Sequence, residues 1–388
     1  MLDDLKADGA VLVVDGGDLF WRSRSLPAAR KDQQLEKARL QVAAYSSSGI
    51  DVFVPGEGDF SLGAETVFEL VKEGDMPVLA AGMVCGETRW PGHRVFERGG
   101  MKVGVVGVTG KGPKGCRVSD PVKSVEAAVL EQGAVDVRLV VAHVNAKQLA
   151  ELGGLETVDF VLDGHARKTW MNPKRIGETG AFELGSGSRG KRLGVLSLKL
   201  EHNGVGWAPT GTPGDHHRFT HRLVDLDVSV GEHLETHKLV EAAKTRIGEA
   251  VVAPPAWVVR TTVEEGPFVG SSACLPCHPT QYAQWRTTRH STALDTLRGV
   301  NRAADLDCYA CHVTGADHPQ GPAHPAEVGV LEHVGCEACH GPGKAHVAEP
   351  SAANIHKSVE VSTCQLCHDG EMDGGRFDWA TYGPKVSH

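Results

Sequence analysis

Four Cys-x-x-Cys-His segments lie in the last third of the chain: Cys274-Leu-Pro-Cys277-His278, Cys308-Tyr-Ala-Cys311-His312, Cys336-Glu-Ala-Cys339-His340 and Cys364-Gln-Leu-Cys367-His368. Each has the spacing that attaches a c-type haem. Its two thiols can form thioethers to the porphyrin, and the adjacent imidazole is placed to ligate iron from the proximal side. The four segments therefore predict four haem c groups, with His278, His312, His340 and His368 as proximal ligands. Structural zinc pairs one Cys-x-x-Cys with another, or with two spaced histidines, and needs no His directly after each pair. A disulfide framework does not need it either. Only Cys85 and Cys116 are left over, and they read as buried thiols or one disulfide. No second metal is expected.

At 388 residues the chain is long enough for two domains. Residues 1–250 have the Val, Leu, Ala and Gly content of an ordinary globular domain, whereas residues 268–388 hold eight of the ten cysteines and eleven of the twenty histidines. The second part can be small because haem replaces much of its apolar core. A net charge of −9 argues against nucleic acid and anionic membrane surfaces as partners, and no basic run offsets it. No apolar run approaches the roughly 18 residues of a membrane span. A secretory leader is not evident, although covalent haem attachment takes place outside the cytoplasmic membrane. The natural protein is therefore expected to begin upstream of Met1, where a polar helix, Leu2 to Asp8, runs into an apolar strand, Val11 to Val14.

In residues 1–250, apolar runs at Val11–Val14, Val52–Val54, Val78–Ala81, Val103–Val108, Val137–Ala142 and Phe160–Leu162 read as buried strands. Gln34–Tyr45, Ala64–Lys72 and Val122–Gln132 carry helical periodicity. This alternation predicts a layered α/β domain, whose ligand sites lie at the carboxyl ends of the strands. Those ends carry Asp15-Gly-Gly-Asp18, Gly56-Glu-Gly-Asp59, His143 and Gly164-His165-Ala-Arg167. Gly110-Lys-Gly-Pro-Lys-Gly115 lacks P-loop spacing and reads as a surface turn.

In order and spacing these segments resemble the calcineurin-like metallophosphoesterases, particularly the periplasmic 5′-nucleotidase branch, over about residues 1–230. The resemblance implies a two-metal centre that activates water for attack on phosphorus. Asp18 matches the bridging carboxylate, His143 a lone-His ligand and His165 the first His of Gly-His-x-His. Glu57 and Gly58 stand where the family has Asn-His, Arg167 stands in place of the second His, and the opening Asp-x-His motif would lie before Met1. A cation at Arg167 would repel a divalent metal. Asp18 after its Gly-Gly turn also suits a helix cap, and His143 and His165 suit hydrogen-bonded remnants. The domain is expected to be an inactive scaffold with a vestigial metal site.

Residues 251–267 gain prolines and lose periodicity, so they read as an extended linker. From Phe268 the chain resembles the tetrahaem cytochrome c family of the hydroxylamine oxidoreductase electron acceptor. The resemblance rests on Phe268-Val-Gly-Ser-Ser-Ala-Cys274, Gln284-Trp285 through His290, Cys311-His312-Val-Thr-Gly315 and Gly335-Cys336 through Gly343. It implies a small, mainly α and loop, multihaem domain. Met372 is the only methionine there, so bis-His ligation is the economical assumption. His290, His318, His324, His333, His346, His356 and His388 are available as distal ligands. His290 should end a helix beginning near Pro279, too far along it to return to its own haem. By resemblance it serves the third haem, on His340. His346 serves the first, on His278, and His388 the fourth, on His368. The haem on His312 has no obvious partner.

The sequence thus predicts a periplasmic or extracellular tetrahaem c-type cytochrome that transfers electrons between redox proteins, with a phosphoesterase-like scaffold and no substrate chemistry. Three alternatives remain open at this level: a multihaem reductase using an open iron on His312, an active 5′-nucleotidase-like hydrolase fused to a cytochrome, and a polymer of copies of the same chain, with His388 ligating haem in a neighbour.

Overall fold

The computed structural model describes residues 1–21, 26, 30–165, 172–178, 180–187, 189–250, 265–370 and 373–388. The chain divides into two compact units. The first comprises Met1–Leu26 and Lys37–Val240, and the second Pro27–Glu36 and Glu241–His388. Most of the expected linker, residues 251–264, lies outside the described residues, as do Arg167 and Met372.

The first unit is built on a six-stranded sheet in the order Lys174–Arg175, Phe182–Leu184, Phe160–Asp163, Val137–His143, Met101–Thr109, His93–Arg98. Its centre is parallel: Val103 pairs with Val137, Leu139 with Phe160 and Phe182 with Phe160. Parallel strands covered on both faces need nearly unbroken apolar sequence, and Met101–Thr109 is buried from Val103 onward. On one face Val106, Val108 and Val140 meet the helices Pro121–Gln132 and Ala146–Gly153 through Val125, Leu149 and Leu152. On the other, Val105, Val141 and Phe160 meet Trp207 and Phe219, which belong to a second sheet of Arg192–Lys199, Trp207–Pro209 and His217–Asp225. The layered α/β architecture is present as expected.

The first strand is Val14–Asp15 rather than Val11–Val14, and two further details depart from the sequence reading. Val78–Ala81 is not a named strand; it makes single bridges, Phe53 to Val78 and Ala81 to Val108. Its amides donate in opposite directions, Leu79 to Phe53 O and Ala81 to Gly107 O, so it joins Val52–Phe53 to the main sheet. The antiparallel edge strand His93–Arg98 gives no apolar run, because most of its side chains are polar and at least partly exposed. Its turn is the better signal, since Gly99 and Gly100 have φ of 58° and 77°, as a two-residue hairpin requires.

In the second unit, the described residues from Phe268 onward form short helices and loops. Pro279–Arg286 starts with proline at its first turn, and a small core gathers Leu294, Leu297, Leu306, Tyr309, Val313 and Val328. The helix stops at Arg286, and His290 lies in a separate 3-10 turn, Arg289–Thr292. That corrects the expectation of one helix running to His290. Among the described residues no helix is long and apolar enough to cross a membrane.

Candidate haem ligands and a candidate metal centre

Among the described residues of the second unit, three imidazole pairs face one another. The ring centroids of His278 and His346 are 6.3 Å apart, those of His290 and His368 6.3 Å, and those of His340 and His388 5.6 Å. A metal–imidazole bond of about 2 Å on each side of one ion separates two ring centroids by roughly 6 Å. The pairs therefore have the spacing of axial ligands around a shared iron. The chemistry of the donors agrees, because neutral imidazole ligates iron through one ring nitrogen while the other holds a hydrogen bond.

Several of the second nitrogens are engaged. His340 Nδ1 lies 2.6 Å from the His356 carbonyl, His312 Nδ1 2.7 Å from that of Ala293 and His346 Nδ1 3.0 Å from that of Ser351. A carbonyl only accepts, so for His340 and His312 Nδ1 carries the proton and Nε2 keeps its lone pair, while Ser351 N also lies 3.4 Å from His346 Nδ1. His388 Nδ1 faces Val386 O at 3.2 Å, and His368 Nδ1 faces Asp373 Oδ2 at 3.5 Å. Burial lowers the pKa of His290, with nearby His368 adding to the effect, which favours the neutral ring.

The pairing differs from the sequence expectation in two of three cases. His346 faces His278 as the resemblance implies. His290, however, faces His368 rather than His340, and His388 faces His340 rather than His368. The separate turn that carries His290 accounts for the first change, since the side chain is not aimed by the preceding helix. Gln284 helps set the second: its Nε2 donates to Lys385 O at 3.3 Å and Ser387 O at 2.9 Å, fixing the segment that delivers His388. Among the described residues no imidazole lies opposite His312 at such a spacing. His318 packs on Phe268, while His324 Nδ1 and His333 Nδ1 accept from Ala326 N and Leu294 N.

The cysteines connect the segments in a definite order. Cys274 neighbours Cys336, Cys339 neighbours Cys364, and Cys367 neighbours Cys311. The sequence is first, third, fourth, second, with the His312 segment at one end. Cys85 and Cys116 resolve into a disulfide between paired strands, Met83–Cys85 and Cys116–Val118.

In the first unit, the carboxyl ends of the strands converge as predicted. His143 closes Val137–His143, His165 follows Phe160–Asp163, and Asp18 follows Val14–Asp15. His143 is fully buried, and its Nδ1 lies 2.8 Å from Gly16 O. Among the described residues its Nε2 has no hydrogen-bond partner, yet it faces Glu57 Oε2 at 3.3 Å and Asp18 Oδ2 at 3.6 Å. Glu57 Oε2 is also 3.8 Å from His165 Nδ1. One donor atom from each of Glu57, His143 and His165 lies within 4.8 Å of the others.

Glu57 is the residue that sequence reasoning undervalues. In sequence it is a departure from the family's Asn, whereas in the fold its carboxylate joins the two imidazoles. Gly58 is a true loss. A Cβ there would stand 2.6 Å from Asp18 Oδ1, and Gly58 N already donates to that oxygen at 2.7 Å. Asp18 is therefore no helix cap. Its φ of 56° belongs to a loop held by Asp59, whose buried carboxylate accepts N–H bonds from Asp18, Leu19, Phe20 and Gly56. Burial pushes the Asp59 carboxyl up to about 7, against the pull of those donors.

Two imidazoles and a carboxylate suit a divalent first-row ion. The orphaned, buried Nε2 of His143 facing carboxylate oxygens fits a cation between them, since lone pairs otherwise repel. The expectation that haem is the only metal cofactor is weakened accordingly. A complete two-metal set does not fit, because Gly58 brings no side chain to the site.

Comparisons with known proteins follow the same division. Residues 273–341 match the family model of cytochrome c554 and c-prime. Over 213 residues, 46% of this chain, the sequence is 22% identical to a probable 5′-nucleotidase of Treponema pallidum (strain Nichols), covering 36% of that protein. The Thermus thermophilus sulfate thiohydrolase SoxB has a similar fold, with a TM-score of 0.52, 20% identity, 65% of this chain covered and 47% of the other. A 5′-nucleotidase precursor, also from Thermus thermophilus, gives 0.52, 15%, 63% and 52%, and the calcineurin-like phosphoesterase YfkN from Bacillus subtilis 0.50, 18%, 64% and 88%. The chain spans about a third of the curated relative and about half of the first two of these structures. These likenesses give the fold of the first unit.

Proposed function

We propose that this chain is an exported tetrahaem c-type cytochrome that passes electrons between redox proteins, with the phosphoesterase-like unit as its scaffold. The observation that carries the reading is the set of three imidazole pairs at axial separation, each including the histidine of a Cys-x-x-Cys-His segment. Haem iron supplies one-electron chemistry, and potentials set by axial ligand, burial and nearby charge direct the flow. The protein's part is to attach, orient and insulate. Eight cysteines provide the thioethers, and the Nδ1 hydrogen bonds fix the imidazole planes.

Export is supported by the Cys85–Cys116 disulfide, because such bonds persist in oxidising compartments. His388 faces an imidazole of its own chain, which favours a self-contained relay over ligation in a neighbouring copy. His312, with no imidazole facing it among the described residues, leaves room for a small molecule on that haem. The test is a haem count by pyridine haemochrome with carbon monoxide titration of the reduced protein. Four haems, one of which binds carbon monoxide, is the expected result; a count near zero, or zinc in place of iron, overturns the reading. Four inert low-spin haems would leave a relay with no open site.

A second reading concerns the first unit, and His143 Nε2 supports it. Glu57, His143 and His165 would hold one divalent ion, with Asp18 beside them, in place of the family's metal pair. Metal analysis after equilibration with manganese or zinc should find one non-haem ion per chain. Glu57→Gln should weaken that binding by at least about 10-fold. No uptake above the level of a His143→Ala control would overturn it.

A further inference from the structure

Haem attachment requires only the two cysteines and the histidine of each segment, so the residues between the cysteines are free to do something else. In the third segment one of them is Glu337, and it is 4% exposed. Its Oε1 accepts from Val269 N at 3.0 Å and Gly343 N at 2.7 Å, and its Oε2 from Gly270 N at 2.7 Å and Val269 N at 3.2 Å. Every one of these contacts to the carboxylate is an N–H donor, the pattern of an acceptor-only, ionised group. Among the described residues no Lys, Arg or His makes an ion pair with it. A buried charge is costly unless hydrogen-bonded, and here three backbone amides take the place of a counter-ion.

The partners of Glu337 come from the first haem site. Val269 and Gly270 lead into Cys274, whereas Gly343 opens the short helix Lys344–Ala348 that carries His346, the imidazole facing His278. One carboxylate therefore ties the third segment to both sides of the first imidazole pair. Glu337 itself sits between Cys336 and Cys339, so its charge lies inside the third attachment segment as well. A fixed negative charge in a low-dielectric interior favours the more positive, oxidised state of nearby iron.

We propose that Glu337 is a positioning residue and a built-in negative charge for the haem pair at Cys274/Cys277 and Cys336/Cys339, lowering the reduction potentials of that pair below those of the other two. The proposal rests on the tetrahaem reading, and the experiment separates the two. The wild-type haem count comes first, and fewer than four haems defeats the reading itself. With four present, spectroelectrochemical titration of Glu337→Gln should show two of the four midpoints shifted upward and two unchanged. Glu337→Asp, which keeps the charge, should return them toward the wild-type values. A purely structural role predicts no such rescue by charge. Any other pattern, whether four unmoved midpoints or four that move together, overturns the proposal. Should Glu337→Gln fail to mature, His346→Met marks the first haem in an otherwise native chain, because a Met ligand raises potential. The midpoint it lifts must be one of the two lowest, and lifting one of the two highest also overturns the proposal.

Discussion

The imidazoles of His340 and His388 lie with ring centroids 5.6 Å apart, although one belongs to the third attachment segment and the other is the last residue of the chain. His388→Ala should therefore open the haem on His340, adding one carbon-monoxide-binding site to the reduced protein. The added site should vanish when Cys336 and Cys339 are also changed to Ser, which removes that haem. If it persists there and vanishes instead with Cys364 and Cys367, the pairing implied by family resemblance holds and the one described above does not. His290→Ala gives the mirror experiment, its new site depending on Cys364 and Cys367.

The Nδ1 hydrogen bonds predict a subtler effect. Asn354 Oδ1 stands 3.1 Å from His346 Nδ1, and Asn354 Nδ2 donates to Glu349 O at 2.9 Å. Asn354→Ala should leave the haem count at four but change the low-spin electron paramagnetic resonance signature of one haem. Outer-shell partners tune a ligand's orientation and basicity. An unaltered spectrum would mean that Ser351 alone fixes the ring.

Phosphate esters should not be turned over at the rate of a two-metal enzyme. Gly58 carries no side chain, and Asp18 fills the space beside it, while a two-metal clamp needs ligands for both ions. Assays with nucleotides and an aryl phosphate in added manganese would check this. Sustained turnover abolished by His143→Ala would show a working hydrolase.

The disulfide closes a loop with a sequence separation of 31. Its loss should cost about 3.5 kcal/mol on the loop-entropy model, or roughly 10 °C in Tm for a unit of this size. Cys85→Ser/Cys116→Ser monitored by calorimetry measures it. The haem absorption bands should be unchanged, because none of the four attachment segments uses these cysteines.

Local rules make much of this protein legible in its sequence. Haem attachment depends on a short fixed spacing, so Cys274 to His278 and its three counterparts can be read without a fold. The buried strands at 103–108 and 137–142 are readable for a similar reason, since a parallel strand covered on both faces leaves an unbroken apolar run. Whether Cys85 and Cys116 are thiols or a disulfide stays open in sequence, because only register across two strands brings them together. The distal ligands require the tertiary structure altogether. Nothing in the spacing of His290 or His388 says which proximal imidazole each will face, and a turn after Arg286 and two hydrogen bonds from Gln284 determine it. Glu57 and Glu337 carry the same lesson. In sequence Glu57 reads as a departure from the family's Asn and Glu337 as a residue between two haem cysteines, and only long-range packing brings one to two imidazoles and the other under three backbone amides, where the cost of burying charge makes its partners decisive.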